Sequence, residues 1–439
     1  MPTTDYTEFL HNVKQEYITN SYELDGIFIF DIELPATSHI CPKCGETTKH
    51  IKDYRIRTVK FGKVQRGPLI GKYRQRRYIC PHCGHSFAES NPFVRKHMQL
   101  SVTNIRMLFD KLTESVTYTA IANECDTSIT TVLRYCSMIT IPKPKTLPTV
   151  IGIDEFKGNA EGYQYQVNLT NPDTHEILDI LPKRDTQALI HYFASFKHKD
   201  RLQVKFIVMD MSIQFKRIME ALFPHAHIIC DRYHVCRLVD WAVERVRKRE
   251  QHKLAAYSRM LKQNRRVLMK HPDHLTEAEH IKLCEILRIS DDLRKAYALK
   301  LSFRKIFSIY GKQRIAAHLT HWLELVKASG LDEFNNFFTS FPAWMTQLTN
   351  AFLLPYSNGY TEGTNNKIKV LKRISYGLRH FGRFRVRILL LSKKNGTNHN
   401  YDWCQRRLVG RIPQHLTESL KKDVYHYKQN TRIPPFLLL

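Results

Sequence analysis

Val150-Ile151-Gly152-Ile153-Asp154, Phe206-Ile207-Val208-Met209-Asp210 and Ile228-Ile229-Cys230-Asp231 are three short apolar runs that each end on an aspartate. Runs of this length, rich in β-branched residues and bounded by polar ones, read as buried strands. A single aspartate at a strand end is usually a helix cap or a turn residue. Three of them carry more weight, because the carboxyl ends of neighbouring strands in an α/β sheet form the crevice where ligands bind.

Working outward, Val150 to Phe156, Tyr163 to Leu169 and Glu176 to Leu181 read as strands, the last two forming a hairpin around Asn171-Pro172-Asp173-Thr174. A helix from about Thr186 to Phe196, a strand from Val204 to Met209, a helix from Ile213 to Leu222 and a strand from His227 to Cys230 continue an alternating α/β pattern. From Leu238 to about Phe352 the periodicity is helical, with breaks near Pro272, Gly311 and Gly330, and it resumes after Gly359 through about Leu391. Upstream, Ile141 to Pro148 holds three prolines in a short stretch and reads as a stiff linker. Residues 1 to 38 hold a short helical pattern followed by a strand-like run, Gly26 to Leu34.

The 439 residues carry a formal charge of +27, spread over the whole length, which favours a polyanionic partner such as nucleic acid. There is no run of 18 apolar residues and no single basic amphipathic helix, so a membrane is not the expected partner. The N-terminus lacks a basic segment followed by an apolar stretch, so the expected compartment is the cytoplasm, where close cysteine pairs read as metal ligands.

Two such pairs are present, Cys41-Pro42-Lys43-Cys44 and Cys80-Pro81-His82-Cys83, each followed by glycine. Four thiolates suit one structural zinc ion, which needs four borderline-soft ligands and no open position. His39, His50 and His85 lie nearby and are read as surface residues. Between the pairs, basic and aromatic residues alternate on strands, with Arg55, Arg57, Arg74, Arg76 and Arg77 as candidate contacts to a phosphate backbone. Thr117 to Tyr135 reads as a helix-turn-helix with Ser128 as an N-cap. Ala120, Ile121, Ile129, Val132 and Leu133 are its packing positions, and Thr130, Thr131 and Arg134 point to the major groove.

Phosphodiester cleavage at neutral pH suits two magnesium ions, one activating the attacking oxygen and the other stabilising the leaving oxygen, and such hard cations need carboxylates. A third acid in addition to Asp154 and Asp210 is offered by Glu362, at the start of a helix whose Lys367, Lys369, Lys372 and Arg373 present positive charge to DNA. Taken together, the two cysteine pairs, Ile151 to Gly158, Val208 to Met211, Phe223-Pro224, Asp231-Arg232-Tyr233-His234-Val235, and Thr361 to Asn366 followed by Lys369 to Arg373 resemble bacterial insertion-sequence transposases of the ISL3 family.

The resemblance covers nearly the whole chain. It implies a multidomain α/β plus α protein: a zinc ribbon in residues 1–94, a helix-turn-helix in 95–141, a linker over 142–148, an RNase H-like mixed-sheet core in 149–237 and 356–392, an all-helical insertion over 238–355 and a basic tail over 393–439. Asp154, Asp210 and Glu362 would be the DDE triad holding two magnesium ions, for which manganese can substitute, with Asp231 and His234 supporting it. The implied partner is double-stranded DNA, both the terminal inverted repeats and the target, bound by a homodimer or larger synaptic assembly in the bacterial cytoplasm at the nucleoid. Two rivals share these features: a regulator that kept a degenerate core and binds DNA only, and a structure-selective nuclease on the same fold. Trp241, Trp322 and Trp344 fall in the helical stretch and are read as core.

Overall fold

The computed structural model describes residues 6–64, 67–375 and 378–392; the expected basic tail, 393–439, lies outside the described residues. The chain divides into two compact units, one of residues 1–142 with 371–439 and the other of residues 143–370.

In the first unit a short helix, α1 (Tyr6–His11), precedes β1 (Ile18–Leu24) and β2 (Ile27–Ile32), then β3 (His39–Ile40), β4 (Thr47–Thr48), the long pair β5 (Ile51–Val64) and β6 (Gly67–Ile79), and β7 (Ser86–Ala88). Of β1 and β2 only β2 was legible in the sequence, because β1 is mostly polar and exposed. The sheet order is β1-β2-β6-β5, with β7 added to β6. The alternation along β6 sends Leu69 and Tyr73 inward against Val13, Ile32, Val59, Phe61 and Phe93. Gly71 is required there: a Cβ would meet Ile32 Cδ1 and Phe61 Cε2 at 2.8 Å each.

Three helices follow, α2 (Val102–Leu112), α3 (Tyr118–Glu124) and α4 (Ile129–Met138). Each begins on a hydroxyl cap, Ser101, Thr117 and Ser128, whose side chain accepts a backbone N–H of the first turn. Ile121 and Val132 are fully buried as expected, but Ile129 is 43% exposed at the first position of α4, and Cys125, Tyr135 and Cys136 fill the core in its place.

The second unit holds β8 (Val150–Ala160), β9 (Tyr163–Asn171), β10 (Glu176–Leu181), α5 (Thr186–Ala194), α6 (His198–Leu202), β11 (Phe206–Met209), α7 (Ile213–Leu222) and β12 (His227–Cys230). Its sheet order is β10-β9-β8-β11-β12. The first three strands are antiparallel, whereas β11 runs parallel to both β8 and β12. Seven helices come next: α8 (Arg232–Lys253), α9 (Ser258–Gln263), α10 (Arg265–Met269), α11 (Glu277–Ile289), α12 (Asp291–Arg304), α13 (Lys312–Ser329) and α14 (Asn336–Leu353). The chain then enters α15 (Gly359–Ile374) and α16 (Phe381–Ser392).

The helical stretch begins earlier than its periodicity predicts, since α8 leaves directly from Asp231. One apolar core runs from Ile153, Val208 and Ile229 in the sheet through Val235, Val239 and Val243 of α8 to Leu293, Phe303, Trp322 and Phe341. Asn350 on α14 closes this join by donating to the carbonyl of Ile228 at 2.9 Å. Residues from Leu371 onward, expected to continue the glutamate-bearing part of the core, group with the first unit, where α16 packs on α2 and α4.

Candidate carboxylate site and cysteine cluster

The parallel register of β8, β11 and β12 sets Ile153 beside Met209 and Met209 beside Cys230, so Asp154, still within β8, lies level with Asp210 and Asp231, which directly follow β11 and β12. Asp231 caps α8 and is 2% exposed; its amide donates to the carbonyl of Met209 at 2.9 Å. One turn into α8, His234 turns back over the sheet edge. Its Nδ1 lies 2.8 Å from Asp231 Oδ2, 2.8 Å from Asp210 Oδ1 and 3.4 Å from Glu362 Oε1. Glu362 arrives from the first turn of α15. Asp154 completes the group from β8: Oδ1 accepts the N–H of Glu155 at 2.7 Å, and Oδ2 accepts Nδ2 of Asn365 at 2.7 Å.

Three carboxylates therefore converge on one imidazole, and Asp154 lies close enough to feel the charges of Asp210 and His234. An Nδ1 carries a single hydrogen, which Asp231 Oδ2 and the solvent-inaccessible Asp210 Oδ1, each 2.8 Å away, must share. Burial, then the charge of Asp210, pushes the Asp154 carboxyl up to about 7. Burial, then the Asp231 and Asp210 charges against the pull of His234, raises Glu362. Burial lowers His234, but its bonds to Asp210 and Asp231 outweigh that and raise it to about 10. Burial likewise acts to raise Asp231, and the bond from His234 reverses the sign. Such a cage is an excess of oxygen donors around too little positive charge, the chemistry that holds a hard divalent cation.

Beside it, α8 presents Tyr233 and Trp241 with the guanidinium of Arg237 between them, 5.4 Å and 4.8 Å from the two ring centroids. Trp241 is 47% exposed, contrary to the core position expected for it, while Trp322 and Trp344 are buried. Along α15, Lys367, Lys369 and Arg373 are exposed and Lys372 is half-buried.

In the first unit Cys41, Cys44, Cys80 and Cys83 bring their sulfurs within 4.8 Å of one another. The cross pairs Cys41–Cys83 and Cys44–Cys80 are 3.6 Å and 3.5 Å apart, near the edge of a tetrahedron with metal–sulfur bonds of about 2.3 Å. Both loops have the same build: Cys41 O accepts from Gly45 N and Cys80 O from Gly84 N, each at 2.9 Å, and both glycines have left-handed φ, +80° and +67°.

The arginines of the same sheet divide. Arg76 is 5% exposed and donates to Leu34 O, Glu33 and Glu89, so it is structural and unavailable to a phosphate. Arg57 is spent on the carbonyls of Arg95 and Met98, at 3.0 and 2.8 Å, and Arg77 pairs with Asp53 at 3.0 Å. Arg74 lies over the Tyr54 ring at 4.1 Å and pairs with Glu33, yet stays exposed, as does Arg55. On α4, Thr130 and Arg134 are exposed, and Thr131 is half-buried with its hydroxyl 3.0 Å from Ser128 Oγ.

The ISL3-type transposase profile matches residues 151–388, more than half of the chain, and the zinc-finger profile of transposases IS204/IS1001/IS1096/IS1165 matches residues 37–83. The chain belongs to the ISL3 family of transposases. It is 22% identical over 354 residues to the transposase for insertion sequence element IS1001 of Bordetella parapertussis, covering 77% of this chain and 85% of that protein. It is 25% identical over 256 residues to the transposase for insertion sequence element IS1557 of Mycobacterium tuberculosis, covering 52% of this chain and 56% of that protein. A 117-residue stretch, 27% of this chain, is 31% identical to 36% of a Lactococcus lactis protein named an ATP-dependent protease, too small a share to bear on the whole. The cysteine cluster and the matching zinc-finger profile together support a structural zinc. Among the described residues no helix is long and apolar enough to cross a membrane.

Proposed function

We propose that this protein is a DNA transposase that binds the terminal inverted repeats of its insertion sequence and carries out metal-dependent cleavage and strand transfer, with Asp154, Asp210 and Glu362 as the catalytic acids. The observation that carries this reading is that Asp210 and Glu362, far apart in the chain, meet at the His234 ring nitrogen at 2.8 and 3.4 Å, with Asp154, its carboxyl raised first by burial, close enough for their charges to raise it further. A sheet with three antiparallel strands followed by two parallel ones suits an RNase H-like core, and α8 to α14 then form the helical insertion before the glutamate.

Magnesium fits the donor set, because carboxylate oxygens in excess of cationic partners are what a hard ion requires. Asp154, Asp210 and Glu362 would hold it, and when bound it would activate the attacking oxygen and stabilise the leaving one. The protein supplies the rest. The Glu155 N–H and Asn365 fix the plane of the Asp154 carboxylate. Asp231 orients His234, which neutralises the acids from the inner side. Lys369 lies about two turns from Glu362 along α15 and holds the phosphate backbone beside the acids. The helix-turn-helix, through Thr130, Thr131 and Arg134, and the sheet residues Arg55 and Arg74 bind the element ends.

The test is strand transfer on DNA carrying the element ends with Asp154→Asn, Asp210→Asn and Glu362→Gln. Each substitution is expected to abolish cleavage and joining while end binding is retained. Joining activity in any of the three at the unsubstituted level refutes the assignment. Cleavage without preference for the ends would favour a nuclease instead.

A further inference from the structure

The inner side of α15 is unusual for a helix lying on a sheet. Its buried stripe is Thr361, Thr364, Asn365, Ile368 and Leu371, at helical spacing, and the first three of these are polar yet at most 4% exposed. They face Asn168 and Thr170 of β9, both fully buried. Asn168 Nδ2 donates to Thr364 Oγ1 at 2.7 Å and to Asn365 Oδ1 at 2.9 Å. Thr170 and Thr361 join their hydroxyls at 2.8 Å, and Thr364 Oγ1 donates to the Thr361 carbonyl at 2.8 Å. Beneath them Gly152 leaves the room this needs: a Cβ there would meet Thr170 Oγ1 at 2.5 Å and Thr361 Oγ1 at 2.7 Å.

The chain of bonds has a direction. Asn365 Oδ1 is taken by Asn168, so its Nδ2 must face Asp154 Oδ2; the flipped amide would set two donors together at one end and two acceptors at the other. An apolar stripe would let the helix slide or roll at little cost, whereas these hydrogen bonds are made in one register only, with Asn168 Oδ1 alone left buried and unbonded among them. Glu362 stands three residues before Asn365 on the same helix. One bond chain thus ties the strand that bears Asp154 to the helix that bears Glu362.

We infer that Asn365, oriented by Asn168, is a positioning residue of the metal site: it aims the Asp154 carboxylate and sets the place of Glu362 relative to it. The inference rests on the carboxylate reading above and adds residues that touch neither metal nor DNA. Partners that orient metal-binding side chains are worth about 10- to 100-fold in affinity or activity when removed.

The experiment is binding of manganese ion to the DNA-free full-length protein, followed by electron paramagnetic resonance, beside cleavage of end DNA as manganese is raised. Asn365→Leu, close in shape, is expected to weaken manganese binding about 10-fold or more and to recover cleavage in part at high manganese, with end binding unchanged. Asn168→Leu tests the relay one bond further along, at the residue opposite Asp154 in the β8–β9 pair, and is expected to give a smaller shift of the same sign. Unchanged manganese affinity in both variants overturns the inference. The reading on which it rests fails separately, if Asp154→Asn and Glu362→Gln themselves leave manganese binding and cleavage intact.

Discussion

Arg387 offers a sharp test of how the first unit is held together. It lies on α16, is fully buried, and sends its guanidinium into the end of α2 and the turn that leads to α3. Nη1 donates to Leu112 O at 2.6 Å and Nη2 to Val116 O at 2.6 Å and Glu114 O at 3.1 Å. These carbonyls lie at and just beyond the C-terminus of α2, where no intrahelical donor reaches them. Burial lowers the pKa of the guanidinium, and the group also lies 5.4 Å from the Tyr118 ring centroid. Hydrogen bonds from a charged donor contribute about 1.5 to 3 kcal/mol each, and removing one partner of a buried charged set costs about 3 to 5 kcal/mol. Counting the two short bonds alone, Arg387→Leu should destabilise this unit by ~4 kcal/mol.

The readout should be local, because a chain of two units does not unfold in one step. Hydrogen exchange of the amides in α2, α3 and α4 should accelerate by about a thousandfold, since each 1.4 kcal/mol is a factor of ten. Arg387→Lys, which keeps the charge but loses the fork, should fall between. If exchange in these helices quickens by less than about fivefold in Arg387→Leu, or ~1 kcal/mol, α16 is not what secures them and the accounting is wrong.

Three further outcomes are expected. The purified protein should carry about one zinc per chain, and Cys80→Ser should abolish it; a variant that keeps full zinc content would remove the cluster from consideration as the site. Lys300 is fully buried, with its Nζ donating to the carbonyls of Leu268 and Lys270, and burial lowers its pKa to about 8. An unfolded lysine stays protonated to above pH 10, so between about 8 and 10 the unfolded chain binds the extra proton and stability rises with pH, by up to ~3 kcal/mol; below about 8 the cost is present in full. The slope should vanish in Lys300→Met, and a slope identical in both proteins would exclude Lys300 as its source. Finally, Trp322→Ala removes a side chain packed on Phe303 and Phe337 and bonded to Leu299 O, and should cost about 3 to 5 kcal/mol in urea unfolding. Trp241→Ala should cost under ~1 kcal/mol, so equal losses for the two tryptophans would contradict their burial.

The sequence by itself determined those features whose signal is local. Apolar runs ended by aspartate gave the strands and placed Asp154, Asp210 and Asp231 level with one another, because hydrophobic periodicity and a change of polarity are written in adjacent residues. The two cysteine pairs were legible for the same reason, as was the Ser128 cap of α4. Glu362 was reached only through its surrounding motif.

What tertiary structure decided concerns partners far apart in the chain. Gln166, Asn168 and Thr170 alternate along β9 with no nearby residue in sequence to mark them as covered, yet α15 covers Asn168 and Thr170 and all three are fully buried. Arg76 resembles its exposed neighbour Arg74 in sequence, and only the fold shows that Glu33 and Glu89 have claimed it. Trp241 and Trp322 look alike until one is found on the open side of α8 and the other in the core. In each case the deciding quantity is whether a polar or aromatic group finds its partner in protein or in water, and that depends on residues tens to hundreds of positions away.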